Sequence, residues 1–150
     1  MNKYIRAILL GSGSSGNNSN DSEFIKFLEG KPFKLPSDLK KIGESAFYCR
    51  INLALTELPS GITSIEDYAF YGCINLAITE IPSSVTSIDY CAFMGCTNIK
   101  TITFKSKPSE IDSSAFYQCN NLKTINVPWS EGEVYGAPWS ANATINYDYK

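Results

Sequence analysis

LPSGITSIEDYAFYGCINLAITE, Leu58–Glu80, is one of four consecutive versions of a single pattern. Leu35–Glu57, Leu58–Glu80, Ile81–Thr103 and Phe104–Asn126 align without a gap at a period of 23 residues. The alignment stacks Ile42/Ile65/Ile88/Ile111, Ala46/Ala69/Ala92/Ala115, Phe47/Phe70/Phe93/Phe116, Asn52/Asn75/Asn98/Asn121 and Leu53/Leu76/Ile99/Leu122. A period of roughly 20 to 50 residues marks stacked units that cannot bury their apolar faces alone. The expected fold is a mainly β solenoid of four 23-residue coils with parallel β-sheets.

Each coil has a physical reading. The segments around Leu53, Thr56 and Leu58, or Ile99, Ile102 and Phe104, enter a short strand. Pro59 or Pro82 ends it, because proline donates no ladder hydrogen bond. A second extended piece carries Ile62 and Ile65, or Val85 and Ile88, inward. The Ala-Phe pair then makes a tight corner, 3₁₀ or single-turn helical, that drives the ring into the core. Burying one such ring is worth about 1.5–3 kcal/mol, so a row of them supplies much of the driving force. Asn52, Asn75, Asn98 and Asn121 close the next corner, since an amide offers donors and an acceptor to unpaired turn backbone.

One irregularity leaves two alternatives. The first two copies read Leu-Ala-Leu-Thr-Glu and Leu-Ala-Ile-Thr-Glu, the last two Ile-Lys-Thr-Ile-Thr and Leu-Lys-Thr-Ile-Asn. Strict alternation turns Thr56 and Thr79 inward and exposes Leu55 and Ile78 as an apolar patch with Ala54 and Ala77. A local bulge would exchange them.

The flanks leave the period. Residues 1–10 read as an arm whose Ile5, Leu9 and Leu10 could dock on a larger assembly. Residues 11–21 have the Gly/Ser/Asn composition of a flexible linker. Residues 22–34 are expected to cap the first coil with a helix over Ser22–Gly30, followed by a strand over Lys31–Leu35. Residues 127–150 are expected to cap the last coil with Trp129 and Trp139 and to close with a strand over Ala143–Tyr149. The apolar run Ala7–Leu10 is too short for the core of a secretory signal, and no apolar segment is long enough to span a membrane.

The 150 residues carry a net charge of −2, which argues against a nucleic-acid surface. No lysine or arginine lies between Arg50 and Lys100, a stretch that holds Glu57, Glu66, Asp67, Glu80 and Asp89. Histidine is absent, which removes the commonest general base and the commonest transition-metal ligand. Of five cysteines, Cys73, Cys96 and Cys119 share one repeat position and Cys49 lies one place earlier. Three equivalent thiols cannot all pair, and cysteine packs as a small hydrophobe, so reduced core thiols are expected.

The pattern L-P-x-x-(V/I/L)-x-x-I-x-x-x-A-F-x-x-C-x-x-L-x-x-(I/T), carried by residues 35–126, resembles the BspA-like, or Treponema pallidum-type, leucine-rich repeat. Cys49 is displaced by one place, and Phe104-Lys105 replaces the apolar-Pro step. The resemblance implies a curved, right-handed parallel β solenoid. It also implies a cell-surface adhesion or ligand-binding protein of the kind found in bacteria, some protists and phages of gut bacteria. It carries over no catalytic residue.

No phosphate-binding loop, nucleophile elbow or zinc-binding motif occurs, and the carboxylate pairs Glu66-Asp67 and Glu131/Glu133 fall in turns. No catalytic, cofactor-binding or metal site is expected. The candidates are instead stripes, because a solenoid displays equivalent residues in rows. Tyr48, Tyr71, Met94 and Tyr117 follow the core phenylalanines and are expected to point outward, either to contact a ligand or to cover the next corner. Glu57, Glu80, Thr103 and Asn126 lie on the outer face of the main strand, toward a ligand or water. The expected function is a non-enzymatic recognition or adhesion module for a protein or glycan, displayed on a virion or bacterial surface. The alternative is an accessory structural protein of a phage virion docked through its arm.

Overall fold

The computed structural model describes residues 34–150. The arm with Ile5, Leu9 and Leu10, the linker, the expected helix over Ser22–Gly30 and Lys31–Phe33 lie outside the described residues. Eight short strands follow in order: β1 (Lys41–Ile42), β2 (Ser64–Ile65), β3 (Glu80–Ile81), β4 (Ser87–Ile88), β5 (Thr101–Phe104), β6 (Glu110–Ile111), β7 (Thr124–Asn126) and β8 (Thr144–Asn146). They form two parallel sheets, ordered β1-β2-β4-β6 and β3-β5-β7-β8. Ile42, Ile65, Ile88 and Ile111 are direct partners in the first sheet, so the 23-residue period is the register itself. In the second, Ile81 lies beside Phe104 and Ile102 beside Ile125. The inward residues of both sheets make one core.

The phenylalanine corner joins the coils a third time. Phe47, Phe70, Phe93 and Phe116 are all fully buried. Successive rings lie 5.3, 5.4 and 5.2 Å apart, with planes within 5°, 7° and 2° of parallel. Alternate backbone amides at this corner reach the next coil. In the second coil Tyr68 N–H donates to Tyr90 O (2.9 Å), Phe70 N–H to Ala92 O (2.8 Å) and Gly72 N–H to Met94 O (2.8 Å). The amides between them close turns within the coil, as Ala69 N–H does to Glu66 O and Tyr71 N–H to Tyr68 O, both at 3.1 Å.

The corner is therefore a run of turns rather than the expected 3₁₀ or helical turn, and no helix occurs among the described residues. The reason is local. Ser45, Tyr68 and Cys91 share one left-handed position (φ 54°, 55° and 51°), and Cys49, Gly72, Gly95 and Gln118 share a second (φ 53°, 68°, 75° and 57°). A left-handed residue cannot propagate a right-handed helix, so the chain turns again instead. A Cβ on Gly72 would sit 3.1 Å from Cys49 Sγ, tighter than ordinary packing. Cys49 thus occupies the glycine position of its coil, and its side chain is exposed instead of joining the core.

Leu55 and Ile78 are buried, while Thr56 and Thr79 are exposed. The bulge alternative holds: Thr79 and Glu80 face outward in succession, and β3 shrinks to two residues. Alternation returns in β5, where Ile102 and Phe104 point inward. The apolar surface patch that strict alternation would give is absent, because its two large members belong to the core.

Stacking continues beyond the point at which the 23-residue period stops. β8 pairs in parallel with β7, Thr124 beside Thr144 and Asn126 beside Asn146. Phe116 N–H donates to Trp139 O (3.1 Å), the same bond that Phe93 N–H makes to Ala115 O (2.9 Å). Trp139 is fully buried, with its ring 6.4 Å from Phe116 and 5.7 Å from Phe104; Trp129 lies 5.3 Å from Phe104. The tail follows the coil path with spacings that no alignment of the repeats reveals.

Replacing Phe93, which is stacked on both faces, tests this packing. Phe93→Ala should lower stability by about 3–5 kcal/mol in urea unfolding. A loss below about 1 kcal/mol would show that the ring row does not hold the coils together.

Candidate functional site

The strand stripe is largely occupied by its own neighbours. Glu57 accepts an ion pair from Lys34 (2.6 Å) and Glu80 from Lys105 (2.8 Å). Asn126 Nδ2 donates to Thr103 Oγ1 (3.0 Å), and Asn146 Nδ2 donates to Asn126 Oδ1 (2.8 Å). The stripe thus links coil to coil, and Asn126 is itself buried. The ion pairs are exposed and contribute little to stability.

The second polar row closes the other corner. Asn75 Nδ2 donates to Ile51 O (2.6 Å) and Asn121 Nδ2 to Thr97 O (2.8 Å), which is the structural role expected of these amides. The cysteine row behaves alike: the Cys73, Cys96 and Cys119 thiols donate to the carbonyls of Phe47, Phe70 and Phe93 at 2.9, 3.1 and 3.0 Å. Burial pushes Cys73 and Cys119 up to about 12 and Cys96 well above its ordinary value. None of the five cysteines is bridged.

The tyrosines are different. Tyr48 and Tyr71 point away from the core as expected and stack on each other, with centroids 4.6 Å apart and planes 4° from parallel. Tyr68 stands edge-on to both, 6.3 Å from Tyr48 and 5.8 Å from Tyr71. Tyr90 lies 5.3 Å from Tyr68 at 86°. With Met94, Cys91, Ser45 and Glu44 these rings line an open depression of about 580 Å³. Tyr48 is 42% and Tyr90 49% exposed. Tyr117, also exposed, continues the row but does not line the depression.

The stripe reading missed Tyr68 and Tyr90. Tyr68 sits at the left-handed position shared with Ser45 and Cys91, and Tyr90 at the position before it. Neither aligns with another tyrosine, so no row signals them. The available signal was local density: Tyr68, Tyr71 and Tyr90 lie within two neighbouring copies.

Carboxylates bound this corner. Glu44 lines the depression, and Asp67 Oδ1 accepts from Tyr90 N–H (3.0 Å). Glu66 accepts from Lys41 Nζ (2.8 Å) and from Glu44 N–H (3.0 Å). Asp89 is raised above its ordinary value, first by burial, with Asp67, Glu110 and Glu66 adding to the effect and a hydrogen bond from Ser87 opposing it. Desolvation raises the Tyr48 phenol, and a hydrogen bond to Cys91 raises Tyr90. Both rings stay neutral near pH 7.

The BspA type leucine rich repeat region, a pattern of six copies, matches residues 19–140. A leucine rich repeat protein of T. pallidum is 30% identical to this chain and superposes with a TM-score of 0.59. That match covers 76% of this chain and 54% of the T. pallidum protein, so the chain spans about half of that relative. A leucine-rich repeat protein from Bacteroides ovatus is 25% identical, with a TM-score of 0.46, over 61% of this chain and 30% of that one. No curated protein matches the chain significantly. Among the described residues no helix is long and apolar enough to cross a membrane.

Two measurements test this electrostatic and burial pattern. With a thiol reagent at pH 8, Cys49 should react in the folded protein, whereas Cys73, Cys96 and Cys119 should react only on unfolding. Native labelling of those three at the rate of Cys49 would contradict their burial. The raised Asp89 binds its proton more tightly when folded than its ordinary value of 3.8 implies. Its contribution to stability therefore falls as pH rises above that value. Asp89→Asn should raise Tm at pH 7 and leave it nearly unchanged at pH 3; a lower Tm at pH 7 would contradict the assignment.

Proposed function

This chain belongs to the BspA type leucine rich repeat family, and from that premise we propose that it is a non-enzymatic recognition module whose tyrosine corner contacts a protein or glycan. The observation that carries the reading is the gathering of Tyr48, Tyr68, Tyr71, Tyr90 and Met94 around one open depression. A tyrosine offers a large amphipathic contact area with few torsions to freeze, which suits recognition of either kind of ligand. The strand stripe of Glu57, Glu80, Thr103 and Asn126 is the weaker candidate, because its members already bind one another or a lysine. No histidine is present to act as a general base.

Display on a bacterial envelope or a virion fits an adhesion module. The second reading, an accessory virion protein, places the docking function in Ile5, Leu9 and Leu10, on the strength of a short apolar arm ahead of a Gly/Ser/Asn linker.

Arrays of extracellular-matrix proteins and of glycans, probed with the full chain, test the main reading. At least one signal should be lost on Tyr68→Ser with Tyr71→Ser and retained on Glu80→Gln with Thr103→Ala, circular dichroism showing all variants folded. Signals that persist without the tyrosines would overturn the reading.

A further inference from the structure

The chemistry of the depression narrows what it can hold; this step rests on the reading that the tyrosine corner is the recognition site. The side chains lining it are Glu44, Ser45, four tyrosines, Cys91 and Met94. They present a carboxylate, hydroxyl oxygens, soft sulfurs and π-faces, and no lysine, arginine, asparagine or glutamine. The hydroxyls can donate as well as accept, and the one charged side chain in the lining is the Glu44 carboxylate, which only accepts. A neutral sugar gains nothing from that charge. A guanidinium or ammonium asks only for acceptors, having five or three N–H groups and no lone pair to satisfy.

Charge points the same way. Residues 51–99 hold the carboxylates Glu57, Glu66, Asp67, Glu80 and Asp89 and not one base. Glu66, Asp67 and Asp89 fall on the turns that lead directly into the tyrosine-bearing corner, and Glu44 lies on the equivalent turn of the first coil. Their fields overlap, since Asp67, Glu110 and Glu66 together make Asp89 harder to ionise. Lys41, on the first coil, is bound to Glu66 at 2.8 Å. The raised phenols of Tyr48 and Tyr90 stay protonated near pH 7, and the aromatic faces add quadrupole attraction for a cation. Rings set both parallel and near-perpendicular to one another let a cation meet more than one face or edge-bound hydroxyl.

We propose that the depression lined by Tyr48, Tyr68, Tyr71, Tyr90, Met94 and Glu44 binds a lysine- or arginine-bearing segment of a partner protein. The cationic head lies against the tyrosines, with the Glu44 and Asp67 carboxylates compensating its charge. The side chain's apolar stem packs on Met94 and the ring edges. Affinity is accordingly salt-sensitive and depends on both the rings and the acids.

The test uses the full chain with ¹³C-labelled tyrosine, titrated with hexaarginine, with a neutral hexaserine peptide and with triacetylchitotriose. Hexaarginine should shift the signals of Tyr48, Tyr68, Tyr71 and Tyr90 and leave Tyr149 unmoved, while hexaserine and the sugar shift none. Affinity for hexaarginine should fall at least about fivefold in Tyr71→Leu and again in Glu44→Gln with Asp67→Asn, and survive in Tyr71→Phe. If Tyr71→Leu does not fold, Glu44→Gln alone, on an exposed side chain, carries the comparison. Equal binding by Tyr71→Leu or by the acid variant would overturn the inference, and so would silence toward hexaarginine. Tyrosine shifts with the sugar alone would overturn it too, while leaving the corner standing as a recognition site for glycan.

Discussion

One buried ring per coil, laid flat on the ring of the next coil, is the constraint on which the rest of the structure depends. Phe47, Phe70, Phe93 and Phe116 keep nearly parallel planes, and each amide from Phe47 to Phe93 bonds to the alanine carbonyl of the following coil. With rings and amides tied at the same place, no coil can slip relative to its neighbour. A shift by one residue would turn the inward chains out and break the ladder at once. Every other row inherits that register: isoleucines in the first sheet, thiols against phenylalanine carbonyls, amides across the far corner.

That inheritance also sorts the rows by what they leave available. Asn75 and Asn121 of the asparagine row are satisfied by backbone carbonyls, and the strand stripe by lysines or by its own amides and hydroxyls. Such groups stabilise the stack and offer little to a partner. The tyrosine corner is held by ring contacts among its own members and still presents half-exposed rings. Tyr68 sharpens the contrast. Its left-handed backbone, at φ 55°, is a conformation that glycine adopts without strain. Holding a tyrosine there costs about 1–2 kcal/mol and aims the ring between Tyr71 and Tyr90. A strained position filled by a large, only half-buried aromatic is easier to account for by recognition than by stability.

Much of this was legible in the sequence, and the parts that were not share a cause. Ile65, Phe70, Cys73, Leu76 and Asn75 could be placed because each recurs at a fixed interval and the interval is the register. Leu55 and Ile78 could not, since alternation assumes a regular strand and a bulge exchanges its faces without leaving a mark on spacing. Trp139 could be read as a cover for the last coil, but not as the residue that continues the phenylalanine-corner hydrogen bonds. Tyr68 and Tyr90 were missed because a search for rows sees only residues that repeat, and these two meet Tyr48 and Tyr71 through the stacking of unlike positions.

The central claim is that stacking of the coils makes the corner tyrosines one recognition surface while the strand stripe serves the fold. Side-chain oxidation footprinting of the chain, alone and bound to the array component it selects, tests it most directly. The account predicts protection of Tyr48, Tyr68, Tyr71, Tyr90 and Met94, with the outer residues of β3, β5 and β7 labelled equally in both states. Protection confined to that strand face, with the tyrosines still reactive, would contradict it.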